Sequence, residues 1–178
     1  MKINSNKTSR RHCGISNSTM KSFVNYLEES LNRPYKWAMD GVRPKSWHAT
    51  FTTDDGAKYD FLAVLVTRAE RWEITFALAN PPDGSGETMS LTGTEGGKGA
   101  LRVFATIKEI VEAFLKDVDP DQFEFGADKT ERDDTRASRA KLYARFAKQL
   151  AKKHGYVVNT KDQGSGVDFR LTKEGVGK

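Results

Sequence analysis

VFATIKEIVEAFLKDVDP, residues 103–120, carries the most regular apolar pattern in the chain. Val103, Phe104, Ile107, Ile110, Val111, Phe114 and Leu115 recur at helical spacing and form a broad stripe, the kind that seats a helix on a sheet. Pro120 stops the helix, because its ring cannot continue the hydrogen-bond ladder. Upstream the period changes to two in SWHATFT (46–52), AKYDFLAVLV (57–66) and RWEITFALA (71–79). The turn signal Asp54-Asp55-Gly56 and the polar run 67–70 separate these segments, so three antiparallel strands in a meander are expected. Pro81, Pro82 and Gly84-Ser85-Gly86 break the pattern, and MSLT (89–92) reads as a short fourth strand. Downstream, FEFGA (123–127) is a buried strand. A second helix runs from about Arg136 to His154, with Tyr143, Phe146, Ala147 and Leu150 on its apolar face and Gly155 as its cap. Tyr156–Val158 and Val167–Leu171, around Gly164-Ser165-Gly166, make a closing hairpin. The order β-β-β-(β)-α-β-α-β-β predicts one α+β domain over 35–178, a twisted mixed or antiparallel sheet flanked by two main helices.

Ahead of this domain the composition differs. Residues 1–19 are rich in Ser, Asn, Lys and Arg, with too little apolar surface to offset ordering entropy, and are expected to be disordered. From Met20, Phe23, Tyr26 and Leu27 recur at helical spacing with Ser22 placed to cap, which predicts an amphipathic helix over 20–34. Met20 is also a candidate start of translation. The formal charge is +5; Lys2, Lys7, Arg10 and Arg11 supply +4, which leaves +1 for residues 20–178. That remainder is polarised: 108–134 hold ten acidic against four basic residues, and 136–153 hold seven basic and none acidic. No apolar run is long enough to span a membrane, and the single cysteine, Cys13, gives neither a disulfide nor a metal signature. Membrane insertion, secretion and a metal site are not expected.

Three features bear on chemistry. Thr92-Gly-Thr-Glu-Gly96-Gly97-Lys98-Gly99-Ala100 leads into the strongest helix, and free N–H groups at a helix start favour an anion such as phosphate. The same glycines also suit a flexible connection; neither a Walker loop nor a GxGxxG spacing is present. Lys141, Arg145, Lys148 and Lys152 form one stripe opposite the apolar face of the second helix, suited to an acidic or phosphate-bearing partner or simply solvated. Tyr143 lies on the apolar face itself, where a core tyrosine is the plain reading. His12, His48 and His154 show no Ser/His/Asp pattern, Asp54 and Asp55 suit a turn, and Asp128, Asp133 and Asp134 suit a solvated loop.

The order strand, Gly-rich loop, long helix, strand, helix bearing Leu142-Tyr143, hairpin resembles the GNAT acetyltransferase superfamily over about residues 46–172. The resemblance implies an acyl-CoA-binding N-acyltransferase or a degenerate relative. Acetyl-CoA pyrophosphate would be held at Gly96, Gly97, Lys98, Gly99 and Ala100, and Tyr143 would protonate the departing thiolate. The Gln/Arg position of that superfamily's loop falls on Thr94. A second resemblance, carried by MKSFVNYLEES, Arg102-Val-Phe-Ala-Thr106 and SRAKLYARFAKQLAKKHGY, is to small tailed-phage proteins. Leu27-Glu28-Glu29 also resembles the prohead-protease tripeptide of internal head proteins. These imply a non-catalytic accessory or virion-internal protein that engages a host or phage macromolecule through the basic helix, in the host cytoplasm or packaged in the virion.

Overall fold

The period-two segments pair as the meander their alternation predicts. The computed structural model describes residues 33–79, 99–128, 136–164 and 166–176, with backbone alone at 128 and 136–140. In chain order the elements are β1 (Trp37–Arg43), β2 (Ser46–Thr52), β3 (Lys58–Val66), β4 (Arg71–Leu78), α1 (Ala100–Val118), β5 (Gln122–Asp128), α2 (Arg136–His154), β6 (Tyr156–Asp162) and β7 (Gly166–Lys173). The strands form one seven-stranded sheet in the order β1-β2-β3-β4-β5-β7-β6. Only β4 and β5 pair in parallel, so the sheet is mixed and the fold is α+β.

β1 is a strand the sequence did not announce. WAMDGVR carries a turn-like Asp40-Gly41, and all but Trp37 are exposed, so alternation leaves little trace. The pair is bulged there: Met39 faces Ala49 and Gly41 faces His48, with Asp40 extra. β6 and β7 each extend beyond the expected hairpin, to Asp162 and Lys173. The expected strand MSLT, the leader 1–19 and residues 20–32 of the expected N-terminal helix lie outside the described residues.

Both helices cover one face. Trp47, Ala49 and Phe51 of β2, Tyr59, Phe61 and Ala63 of β3, Ile74, Phe76 and Leu78 of β4, and Phe123 and Phe125 of β5 alternate onto that face and are buried. α1 is seated by Phe114, whose ring lies 5.4 Å from Trp72 and 5.9 Å from Trp47, both edge-on. Each such ring contributes on the order of 2–3 kcal/mol by leaving water. Trp47 Nε1 also donates to Asp117 Oδ2 at 3.3 Å, fixing the far end of the helix. At the near end Arg102 donates from Nε to Arg33 O at 2.8 Å and from Nη1 to Asp54 Oδ2, while its guanidinium lies 4.0 Å over the Tyr35 ring. Buried Thr106 donates to Arg102 O and accepts from Tyr35 N, each at 2.8 Å. Segment 33–35 and the β2–β3 turn are thereby pinned to the first turns of α1. Asp119 ends that helix in the left-handed region, and Gly155 (φ 72) does so for α2, where lack of a Cβ removes the strain.

Two core phenols make the fold sensitive to alkali. Burial, helped by Asp55 for Tyr59 and by Asp119 for Tyr156, pushes each up to about 12 from 10.0. The folded state then holds these protons more tightly than the unfolded one, so stability is intact below pH 10.0 and is lost as pH rises toward about 12. Tyr156 donates to Pro120 O at 2.6 Å, whereas buried Tyr59 Oη has no hydrogen-bond partner among the described residues. In urea titrations the midpoint should fall between about pH 10 and 12, and less so in Y59F. At neutral pH Y59F should cost almost nothing and Y156F about 1 kcal/mol or more. Equal alkaline losses in wild type and Y59F would contradict this account.

Candidate functional site

β4 and β5 touch only briefly. Trp72, Glu73 and Ile74 pair with Phe123, Glu124 and Phe125, and there the ladder stops. Beyond it, Thr75–Leu78 continue to pair with β3, and Gly126–Asp128 with β7. Each strand keeps its outer neighbour and loses its inner one, so the two part along their C-terminal halves, and this unpaired stretch is termed the slot. The joint below it is clamped on both faces. On the helix face Trp72, Ile74, Phe123 and Phe125 are packed, and Phe125 stacks on Phe169 of β7 at 5.4 Å. On the other face Glu124 sits between Arg71 of β4 and Arg170 of β7, 2.9 Å from each.

Chain direction sets what faces the slot. α1 follows β4 and returns beside it to enter β5, so its N-terminus lies at the slot end of the sheet. Of the loop Gly96 to Ala100, the first three residues, Gly96, Gly97 and Lys98, lie outside the described residues. Gly99 is the N-cap and Ala100 the first helical residue; Gly99 O accepts from Val103 N at 2.8 Å. Among the described residues no side chain caps this end, and no acid sits in its first turn to offset the positive dipole end.

Tyr143 is 6 % exposed, as a core aromatic should be. Its ring touches Phe76 of β4 at 6.0 Å and Phe125 of β5 at 6.4 Å, one on each bank of the slot, and Phe104 of α1 at 6.3 Å. Ala100 and Tyr143, 43 positions apart in sequence, are thus brought to the same end of the molecule. Lys141, Arg145, Lys148 and Lys152 are all exposed on the outer side of α2 and join no ion pair among the described residues; neighbouring Lys153 does pair, with Glu112 at 2.7 Å. The stripe and the slot are separate surfaces.

Other candidates are placed too. Asp54 pairs with Arg102, and Asp55 accepts from Thr53 Oγ1 within the β2–β3 turn, which explains both without a ligand. His48 lies on the open face of the sheet between Asp40 and Asp60. Asp128 ends β5, and Asp133 and Asp134 lie outside the described residues. Among the described residues no group of three or more His, Cys, Asp or Glu is placed to hold a metal ion, and no helix is long and apolar enough to cross a membrane. The roles of Arg102 and Glu124 escaped the sequence reading. A charged residue at a helix start, or one between two phenylalanines in a strand, gives a weak signal, and their partners are remote in sequence.

No protein-family model and no curated protein sequence matches the chain. Among solved structures, the apo form of FdhC, a nucleotide-linked sugar GNAT, is similar at 12% identity over 94% of this chain and 73% of its own, with a TM-score of 0.37. A chimeric spermidine N-acetyltransferase, SpeG from Vibrio cholerae with hSSAT, is similar at 9% identity over 89% of this chain and 93% of its own, with a TM-score of 0.38.

The clamp makes a prediction about the joint. Glu124→Ala leaves Arg71 and Arg170 facing each other with no shared carboxylate, and should destabilise the protein by about 2 kcal/mol in chemical denaturation. Glu73→Ala, which leaves Glu124 in place beside Arg71, should cost under about 1 kcal/mol. Equal costs for the two would deny the joint its special role.

Proposed function

We propose that the chain is an acyl-CoA-binding protein of GNAT-like architecture, and an N-acyltransferase if the bound thioester is turned over. The observation that carries this reading is the parting of β4 from β5 beyond Ile74 and Phe125, at the end of the sheet where α1 begins. A slot between two strands exposes edge N–H and C=O groups, which suit the amide-bearing arm of coenzyme A by strand-like pairing. The uncapped α1 N-terminus at Gly99 and Ala100 suits its pyrophosphate, with Gly96, Gly97 and Lys98 the residues that precede it. In the reaction an amine nitrogen attacks the thioester carbonyl, the C–N bond forms as the C–S bond breaks, the nitrogen sheds a proton to water, and the thiolate leaves to be protonated by a group that regains its proton from solvent. Tyr143, between the two banks, is the residue assigned to protonate that thiolate.

Calorimetric titration of acetyl-CoA into the full chain checks this. Binding should be micromolar to sub-millimolar, should raise the melting temperature, and should weaken about tenfold or more in G97V and G99V. Tyr143→Phe should leave binding within about threefold and lower the release of free thiol with an amine acceptor by about tenfold or more. No binding at millimolar acetyl-CoA overturns the reading.

A second reading rests on the cations of α2 that join no ion pair among the described residues. Lys141, Arg145, Lys148 and Lys152 span roughly 16 Å along the helix, which suits a polyanion. Affinity for double-stranded DNA, read by fluorescence anisotropy, should then fall steeply with salt, with a log–log slope of roughly −3 to −4. The double substitution Lys141→Glu with Lys148→Glu should abolish it, and salt-independent binding would rule the stripe out.

A further inference from the structure

The outward side of α1 is not uniform along its length. Phe114, whose ring seats the helix on the sheet, follows Ala105 by nine residues, or about two and a half turns, so Ala105 points away from the sheet. Phe104 beside it turns to α2, where its ring meets those of Tyr143 and Phe146. A residue facing away from the sheet belongs in water, and farther along the same side Glu109 and Lys116 are indeed exposed. Ala105 is only 6% exposed. The burial is local to the first turns of α1, and it requires a cover on the outward side.

Two hydrogen bonds bring the chain to that place. Arg33 O accepts from Arg102 Nε, and Tyr35 N donates to Thr106 Oγ1, each at 2.8 Å. Arg102 and Thr106 stand on either side of Ala105 in sequence, so Arg33, the first described residue, is anchored within about one turn of it, and the residues before Arg33 start from there. Among the stretches outside the described residues, composition separates the candidates for the cover. KTERDDT, 129–135, has no apolar side chain, and 80–98 is broken by Pro81, Pro82 and repeated glycines, with Met89 and Leu91 as its large apolar residues. In 20–32, by contrast, the helical period puts Phe23, Tyr26, Leu27 and Leu31 on one face and Asn25, Glu28, Glu29 and Asn32 on the other. At helical rise these thirteen residues reach about 20 Å, more than the roughly 10–12 Å width of α1.

We propose that the outward side of α1 around Leu101 and Ala105 is the docking surface of residues 20–32 of the same chain, which lie across it with Phe23, Tyr26, Leu27 and Leu31 turned inward. A small side chain at 105 suits this, because it lets a second helix approach closely. The surface does not depend on the acyl-CoA reading, since it faces away from the sheet and from the slot.

Paramagnetic broadening of amide NMR signals tests it, with a nitroxide on Asn25→Cys in the full chain carrying Cys13→Ser. The signals of Leu101, Ala105 and Glu109 should broaden, and those of Val157 to Thr160 on the far edge strand should stay sharp. Leu27→Asp, and separately Ala105→Gln, should remove the broadening while signal dispersion stays native, and Glu28→Gln on the polar side should leave it. Glutamine suits an exposed helix position, so A105Q acts on the segment only through the cover it displaces. Broadening confined to the residues next to Arg33, or broadening that survives both L27D and A105Q, would overturn the proposal. So would a label on Thr88→Cys, in the stretch 80–98, that broadens Ala105 where the label at 25 does not. Acetyl-CoA binding, measured separately, has no bearing on any of these outcomes.

Discussion

Among the described residues three pairs, Trp72–Ile74 on Phe123–Phe125, make the backbone ladder between the two halves of the sheet. On one side stand β1 to β4, a continuous antiparallel meander; on the other, β5, β7 and β6, also antiparallel. A parallel contact that short is weak by itself, so the halves are held in register by what lies above and below it. Above, Phe114 of α1 packs against the first half through Trp47, Phe61 and Trp72. Phe146 and Tyr143 of α2 reach Phe125 of the second, and Phe104 meets both of those rings. Below, Glu124 binds Arg71 and Arg170 across the seam. The slot exists because the clamp is local: the packing that closes the joint leaves the strand ends beyond it free to diverge.

The legibility of this arrangement follows from the range of the interactions involved. The stripe from Val103 to Leu115, the alternation of 46–79, and the face of Tyr143, Phe146 and Leu150 are local periodicities, and they emerge as buried surfaces of the expected kind. Gly155 is equally local, a residue whose positive φ follows from its place behind a helix. β1 was hidden because an edge strand buries little, and because Asp40-Gly41 marks a bulge where sequence suggests a turn. The slot was not legible at all. Periodicity reports which side chains are inward; it is silent on where two strands stop pairing when their partners, such as Trp72 and Phe123, stand 51 positions apart.

The same distinction separates the two kinds of polar residue on the uncovered face. Arg71, Glu124 and Arg170 pair at 2.9 Å, and the Glu124 carboxylate is compensated within the chain. His48, Asp40 and Asp60 form a looser group, with His48 Nδ1 3.3 Å from Asp40 Oδ2 and both His48 Nε2 and Lys58 Nζ 3.8 Å from Asp60 Oδ1. Mutual satisfaction explains a polar group by stability alone.

Among the described residues both helices lie on one face of the sheet, which sharpens this contrast. Among the described residues the core lies between the helices and one face of the sheet, and the opposite face carries charge. Leu62 and Val64, each 38% exposed, are large apolar side chains that β3 leaves exposed on it. Substitutions on that face therefore act through electrostatics and hydrogen bonding, and those under the helices through packing. The joint of β4 and β5 lies where the two regimes meet, with aromatic rings packed on its helix face and no ladder between the two strands beyond Ile74 and Phe125.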